Sequence, residues 1–258
     1  MVDVGDATLS YEVLGKGPAA LLLHGGGNNH LIWWRVAPHL SQALKVILPD
    51  VRGHGWSTCD PHDADPARHP ADLGAVLDDA EVDRVRLVCH SMASVAGLRF
   101  AVENPGRVVS LALIAAPAVH TLRTVHSFQH VEDVFRRPGS GQAMVDRAFA
   151  PEAAERTPEQ VYLYRKLNAL NPPFPRDVLM PGLRRTVVPV EDLAGFDIPT
   201  LVTAGEHDRM LAFETVSEVA ELLPGAEFAV HAGTGHAPMI EDPKGFLDVI
   251  GGWLHMHD

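Results

Sequence analysis

Cysteine is nearly absent: Cys59 and Cys89 are the only two in 258 residues. That excludes a disulfide-stapled scaffold, and both are expected as reduced thiols in a cytoplasmic protein. Long apolar runs are missing too. The most apolar stretches, Ala19–Leu23 and Leu111–Ala116, are far too short to span a bilayer. No basic region followed by an apolar run opens the chain at Met1-Val-Asp-Val-Gly-Asp6, so no secretory signal is expected. Positive charge is scarce, 21 Lys and Arg against 33 Asp and Glu, giving a formal net charge of −12. A field of that sign repels phosphate backbones and anionic lipid, so nucleic acid and membrane surfaces are poor partners. A small-molecule substrate is the expected partner, and the oligomeric state is left open.

The chain is 46% hydrophobic and 21% charged, enough to bury one substantial α/β core. Short apolar runs alternate with helix-like segments, the pattern of a mostly parallel sheet covered on both faces. Strands are expected at Ala7–Leu14 (antiparallel), Ala19–Leu23, Val46–Leu48, Arg84–Val88, Val108–Ile114, Thr200–Thr203 and Glu227–His231. Helices are expected at Trp33–Leu40, Asp72–Ala80, Ser91–Glu103 and Phe213–Leu223, with a closing helix beyond Asp242. The rhythm breaks from about His120 to Asp192, where polar helical stretches are interrupted by Pro138, Pro151, Pro158 and the run 171–175. This is read as a helical lid, residues 120–192, inserted into a core formed by 1–119 and 193–258.

Cys89-His-Ser91-Met-Ala93 lies between a predicted strand and a predicted helix. A serine there is forced onto a sharp turn with its hydroxyl above the sheet edge, and the flanking positions must be small. The usual signature is Gly-x-Ser-x-Gly; here Cys89 and Ala93 replace both glycines. Gly205-Glu-His-Asp208 follows a later strand, and Gly233-Thr-Gly-His236 follows the last. Each alone reads equally as a polar turn or a surface loop. Together they put Ser91, Asp208 and His236 in the order nucleophile, acid, base, each after a strand. Asp50 is an alternative acid, but the run Asp50–Gly55 reads as a turn fixed by its own contacts.

A tetrahedral intermediate needs backbone donors. Met92 N–H is one candidate, and Gly26, within His24-Gly-Gly-Gly27, supplies the other. Gly25, His90 and Trp33 are possible pocket residues, Trp33 being equally a core residue. In the lid, Phe128, Phe135, Phe149, Tyr162, Tyr164 and Phe174 offer apolar walls or lid core. His126 and His130 have i, i+4 spacing but no HExxH companion, so they are read as a solvated face. No metal and no cofactor are expected.

Over nearly its full length the chain resembles the α/β-hydrolase superfamily. The resemblance is carried by His24–Gly27, Asp50-Val-Arg-Gly-His-Gly-Trp-Ser57, the elbow at Ser91, Gly205–Asp208 and Gly235-His-Ala-Pro-Met-Ile-Glu-Asp-Pro243. It implies an eight-stranded, mostly parallel sheet, helices on both faces, a helical cap, and a cofactor-free Ser-His-Asp mechanism. Hydrolysis of a small carboxylic ester or lactone is the leading expectation. Cleavage of a C–C bond in a vinylogous diketone is the alternative, favoured if Arg123, Arg165, Arg184 or Arg185 grips a substrate carboxylate. A ligand-binding receptor or non-hydrolytic cyclase is the reading from another class.

Overall fold

A computed structural model of the chain describes residues 1–117, 146–172 and 176–257. Seven strands form the main sheet in the order β10-β9-β8-β7-β4-β5-β3. They are β3 (Tyr11–Leu14), β4 (Ala19–Leu23), β5 (Lys45–Pro49), β7 (Val85–His90), β8 (Val108–Ile114), β9 (Thr200–Gly205) and β10 (Glu227–His231). Only β3 runs antiparallel to its neighbour. Val2–Asp3 (β1), Ala7–Leu9 (β2) and Thr58–Cys59 (β6) make a separate three-stranded sheet.

The count of seven among the described residues differs from the eight implied by resemblance. The run Ala7–Leu14 divides at Ser10, whose amide donates to Ser57 Oγ at 2.8 Å while its carbonyl accepts from Asp50 N at 2.9 Å. β2 therefore leaves the main sheet and pairs with β6.

The strands are apolar on both sides because both faces are covered. Along β4, Ala19, Leu21 and Leu23 enter one core while Ala20 and Leu22 enter the other. β8 alternates likewise, with Leu111 and Leu113 opposite Ala112 and Ile114. The first core is closed by α2 (His69–Asp79), α3 (Met92–Glu103) and a helix at Phe213–Leu222. The second is closed by α1 (Ala37–Leu40) and the C-terminal turns through Phe246, Ile250 and Trp253. Between β8 and β9 the described residues include the α-helices α4 (Ala153–Arg156), α5 (Pro158–Ala169) and α6 (Arg176–Thr186) and a 3-10 turn at Val190–Leu193, and no strand. The helix at Phe213–Leu222 is α7. Among the described residues no helix is long and apolar enough to cross a membrane.

From β4 the chain first steps outward to β5, then returns to the other side of β4 with β7. The crevice at the carboxyl ends of β4 and β7 is thus the point where strand order reverses, the usual ligand position in an open parallel sheet. His24 follows β4 there, and Ser91 follows β7.

Candidate active site

Ser91 joins β7 directly to α3 with φ +53° and ψ −122°, a conformation costly for a residue with a side chain. The turn is held by Ser91 N donating to Ile114 O (2.7 Å) and by Ser94 Oγ donating to Cys89 O (3.0 Å). Cys89 and Ala93, where glycines are usual, are both fully buried. The space is supplied one turn into α3, at Gly97. A Cβ on Gly97 would run into Cys89 Sγ, so the thiol occupies the notch that this glycine leaves open. Burial pushes the Cys89 thiol far up, making it a small apolar filler.

Asp208 lies just beyond β9 and His236 beyond β10. Their loops approach closely because a Cβ on Gly205 would overlap the carbonyl of Gly235, and His207 N donates to Thr234 O at 2.8 Å. Asp208 Oδ1 accepts from the amides of Met210 (2.7 Å) and Leu211 (3.0 Å), leaving Oδ2 for His236 Nδ1 at 2.7 Å. Burial pushes the Asp208 carboxyl up, but attraction and hydrogen bonding by His236, with the two amides, outweigh it and hold it below the ordinary 3.8. A carboxylate only accepts, so Nδ1 carries the proton and Nε2 turns a lone pair toward Ser91 Oγ, 2.9 Å away. Three side chains from after β7, β9 and β10 therefore meet in one hydrogen-bonded line, with His236 and Asp208 side chains only 3% and 1% exposed.

The Gly25–Gly27 loop approaches the same point. A Cβ on Gly25 would lie 3.0 Å from Ser91 Cβ, and one on Gly26 would lie 3.4 Å from Met92 Sδ. Gly26 and Met92 are thus neighbours at the N-terminal end of α3, where free amides and the helix dipole favour negative charge. Asp50 sits apart from this line: its oxygens accept from His30 N (2.7 Å), His30 Nδ1 (2.8 Å) and Trp56 N (2.9 Å), fixing the turn after β5.

A family model described as "Alpha/beta hydrolase family" matches residues 20–249. The chain belongs to that family. Among its relatives is a pyrrolizixenacetamide deacetylase of Xenorhabdus hominickii, 26% identical, the match taking in 100% of this chain and 98% of the relative. Another is a 2-hydroxy-6-oxo-2,4-heptadienoate hydrolase of Pseudomonas putida, 28% identical over 100% of this chain and 96% of the relative. A solved thermophilic esterase from Thermogutta terrifontis shares the fold at a TM-score of 0.85, with 24% identity over 100% and 97% of the two chains.

In this alpha/beta hydrolase, two of the residues singled out as pocket candidates are buried. Trp33 is fully buried against Phe246, ring centroids 6.2 Å apart, and belongs to the core. His90 is also buried; its ring lies 4.9 Å from that of His236, and its Nε2 donates to the His236 carbonyl at 2.8 Å. Gly25, by contrast, does border Ser91. Phe149 and Tyr164 pack edge to face at 5.0 Å as interior residues, while Tyr162 is exposed. Phe128, Phe135, Phe174, His126, His130 and Arg123 lie outside the described residues. Among the described residues, no group of three or more His, Cys, Asp or Glu is arranged to hold a metal ion.

Two further groups hold the site together. Glu241 accepts from Gly235 N (2.7 Å) and Ala150 N (3.0 Å), tying the His236 loop to the segment before α4. Arg209, next to Asp208, donates to the carbonyls of Phe149 and Asp146. Both stand beside a residue of the hydrogen-bonded line, Arg209 one position after Asp208 and Glu241 five after His236. Their partners in the 146–150 segment are distant in sequence and carry no motif.

Proposed function

We propose that this chain is a serine hydrolase of small carboxylic esters or lactones, working through an acyl-enzyme. The observation that carries the proposal is the line Ser91 Oγ, His236 Nε2, His236 Nδ1, Asp208 Oδ2, with links of 2.9 and 2.7 Å. His236 Nε2 takes the Ser91 proton as Oγ attacks the substrate carbonyl carbon. Asp208 holds the imidazole tautomer and stabilises the imidazolium that forms. The amides of Gly26 and Met92 receive the oxyanion, each donor being worth roughly 10²–10³ in rate. The imidazolium then protonates the leaving alkoxide, and His236 activates the water that releases the acid and restores Ser91.

Residues 120–192 are proposed to cap this site, with α4, α5 and α6 as its described part. Acyl transfer to water is also what the deacetylase relative's name describes. The C–C hydrolase relative keeps a second reading in view, cleavage of a vinylogous diketone. That reading calls for a cationic cap side chain free to grip a carboxylate. Arg165 pairs with Asp146 at 2.7 Å and Arg185 pairs with Asp65, so carboxylates of this chain already engage two of the four candidate arginines. A receptor or cyclase would retain the pocket without Ser91-dependent turnover.

Incubation with a fluorophosphonate, followed by peptide mass mapping, tests the proposal. Stoichiometric labelling at Ser91 together with turnover of p-nitrophenyl esters or simple lactones is the expected result. No labelling and no turnover would favour the binding reading. Labelling with turnover of a vinylogous diketone alone would favour C–C cleavage.

A further inference from the structure

Resting on the acyl-transfer reading above, we propose that Asn168 and Asn171 are positioning residues that lock the Gly25–Asn28 loop, and with it the Gly26 amide, in the orientation that receives the oxyanion. The peptide between Gly25 and Gly26 is planar and trans, so its N–H points opposite to the Gly25 carbonyl. That carbonyl is held from two sides, by His24 Nδ1 at 2.9 Å and by Asn28 N at 3.2 Å. His24 Nε2 accepts from Val51 N at 3.1 Å, so the His24 proton sits on Nδ1 and donates to Gly25 O. Aiming the Gly26 amide therefore depends on keeping both His24 and Asn28 in place, and of the two Asn28 is the one tied to α5.

Asn28 is held from the region between β8 and β9. Asn168, in the last turn of α5, donates through Nδ2 to Asn28 Oδ1 at 2.9 Å and to Tyr164 O at 3.2 Å. Asn171, just past α5, donates to Gly27 O at 2.7 Å and accepts from Gly55 N at 2.9 Å. One side chain thus ties the loop after β4 to the turn after β5. Asn29 completes the contact by donating to Leu167 O at 3.1 Å. Asparagine suits this work because a short, stiff side chain carries both a donor and an acceptor. Asn28 and Asn29 are buried, so water does not readily replace these partners. None of these contacts reaches Ser91, His236 or Asp208. The clamp acts on the loop alone.

The test compares wild type, Asn168→Ala, Asn171→Ala and the double variant in p-nitrophenyl ester turnover and in amide hydrogen exchange of peptides covering residues 19–33. The double variant is expected to lose about 10- to 100-fold in kcat, part of one donor's worth, with KM within about threefold of wild type. Exchange in the loop is expected to rise about tenfold or more while peptides of β7 and β8 stay protected. Asn168→Ala is a favourable helix substitution and keeps the test alive should Asn171→Ala fail to fold. Unchanged kcat with wild-type loop exchange, or a rise in KM at constant kcat, overturns the clamp. If wild-type turnover survives Ser91→Ala, the acyl-transfer reading fails, and the exchange measurement still decides whether the asparagines hold the loop.

Discussion

His90 Nε2 donates to the main-chain carbonyl of His236 at 2.8 Å, so the residue before Ser91 holds the backbone of His236. The bond requires a proton on Nε2, and Nδ1 is left buried without a partner among the described residues. Burial, with the nearby His236, pulls the His90 imidazole down to about 3, so it stays neutral. A neutral donor fixes the His236 loop without placing a positive charge beside the His236 ring.

Replacing His90 by Ala is expected to leave a buried carbonyl unsatisfied, costing about 1–3 kcal/mol of stability. The His236 ring then loses its rest, and kcat is expected to fall roughly tenfold or more with KM little changed, one kcal/mol being a factor of about five. Urea unfolding and steady-state kinetics check this together. A loss confined to KM would instead make His90 a pocket residue.

Asp208→Asn gives a sharper outcome. The Asn oxygen would stay on the amides of Met210 and Leu211, turning its NH₂ toward His236 Nδ1. Nδ1 must then become the acceptor, which moves the ring proton to Nε2 and blocks general-base action on Ser91. The expected loss is about 10³- to 10⁴-fold in kcat, with the fold retained. Steady-state rates and far-UV circular dichroism measure the two halves of this expectation.

The elbow's departure from glycine can be tested as a pair. Gly97→Ala drives a methyl into Cys89 Sγ and is expected to destabilise by about 1–3 kcal/mol. Cys89→Gly alone empties the notch. Combined, the new methyl occupies the vacated space, so the double variant is expected to be more stable than the sum of the single costs. Strict additivity in urea melts would contradict this account.

That exchange between Cys89 and Gly97 marks where sequence reading stopped. Strand runs such as Ala19–Leu23 and Val108–Ile114 were legible because burial on both faces makes them continuously apolar. The meeting of Ser91, Asp208 and His236 in one hydrogen-bonded line was legible because each follows such a run in a fixed order. Ser10 gave no sign of breaking its strand, since the cause is Ser57, 47 residues later. The burial of Trp33 and His90 was not legible, because proximity in sequence says nothing about which way a ring faces. The asparagines in and just past α5 carry no motif; only folding brings Asn168 to Asn28, 140 residues away.

Buried neutral histidines should make the protein acid-labile. Burial, followed by the charge of neighbouring groups, pulls His54 to about 3, while burial pulls His231 to about 4 and lowers His24 and His69. Between those values and the ordinary 6.5, the unfolded chain binds more protons than the native one, so stability falls as pH drops below about 6.5. Asp50 and Asp208, held below 3.8 despite burial, add to the loss at lower pH. Asp72 and Glu241, pushed up by burial, oppose it more weakly as two groups against five histidines counting His90. Urea midpoints are expected to be flat from pH 8 to 6.5 and to fall steeply toward pH 4. A midpoint unchanged at pH 4.5 would contradict this.

The most direct measurement is steady-state turnover of a p-nitrophenyl ester by Ser91→Ala, with its thermal unfolding recorded alongside. The variant keeps the imidazole, the carboxylate and the loop amides and removes one oxygen atom, while its Cβ leaves the turn at φ +53° as it was. Turnover is expected to fall by about 10³-fold or more with an unfolding temperature at or above that of wild type. Turnover within a few-fold of wild type in a folded variant would contradict the account.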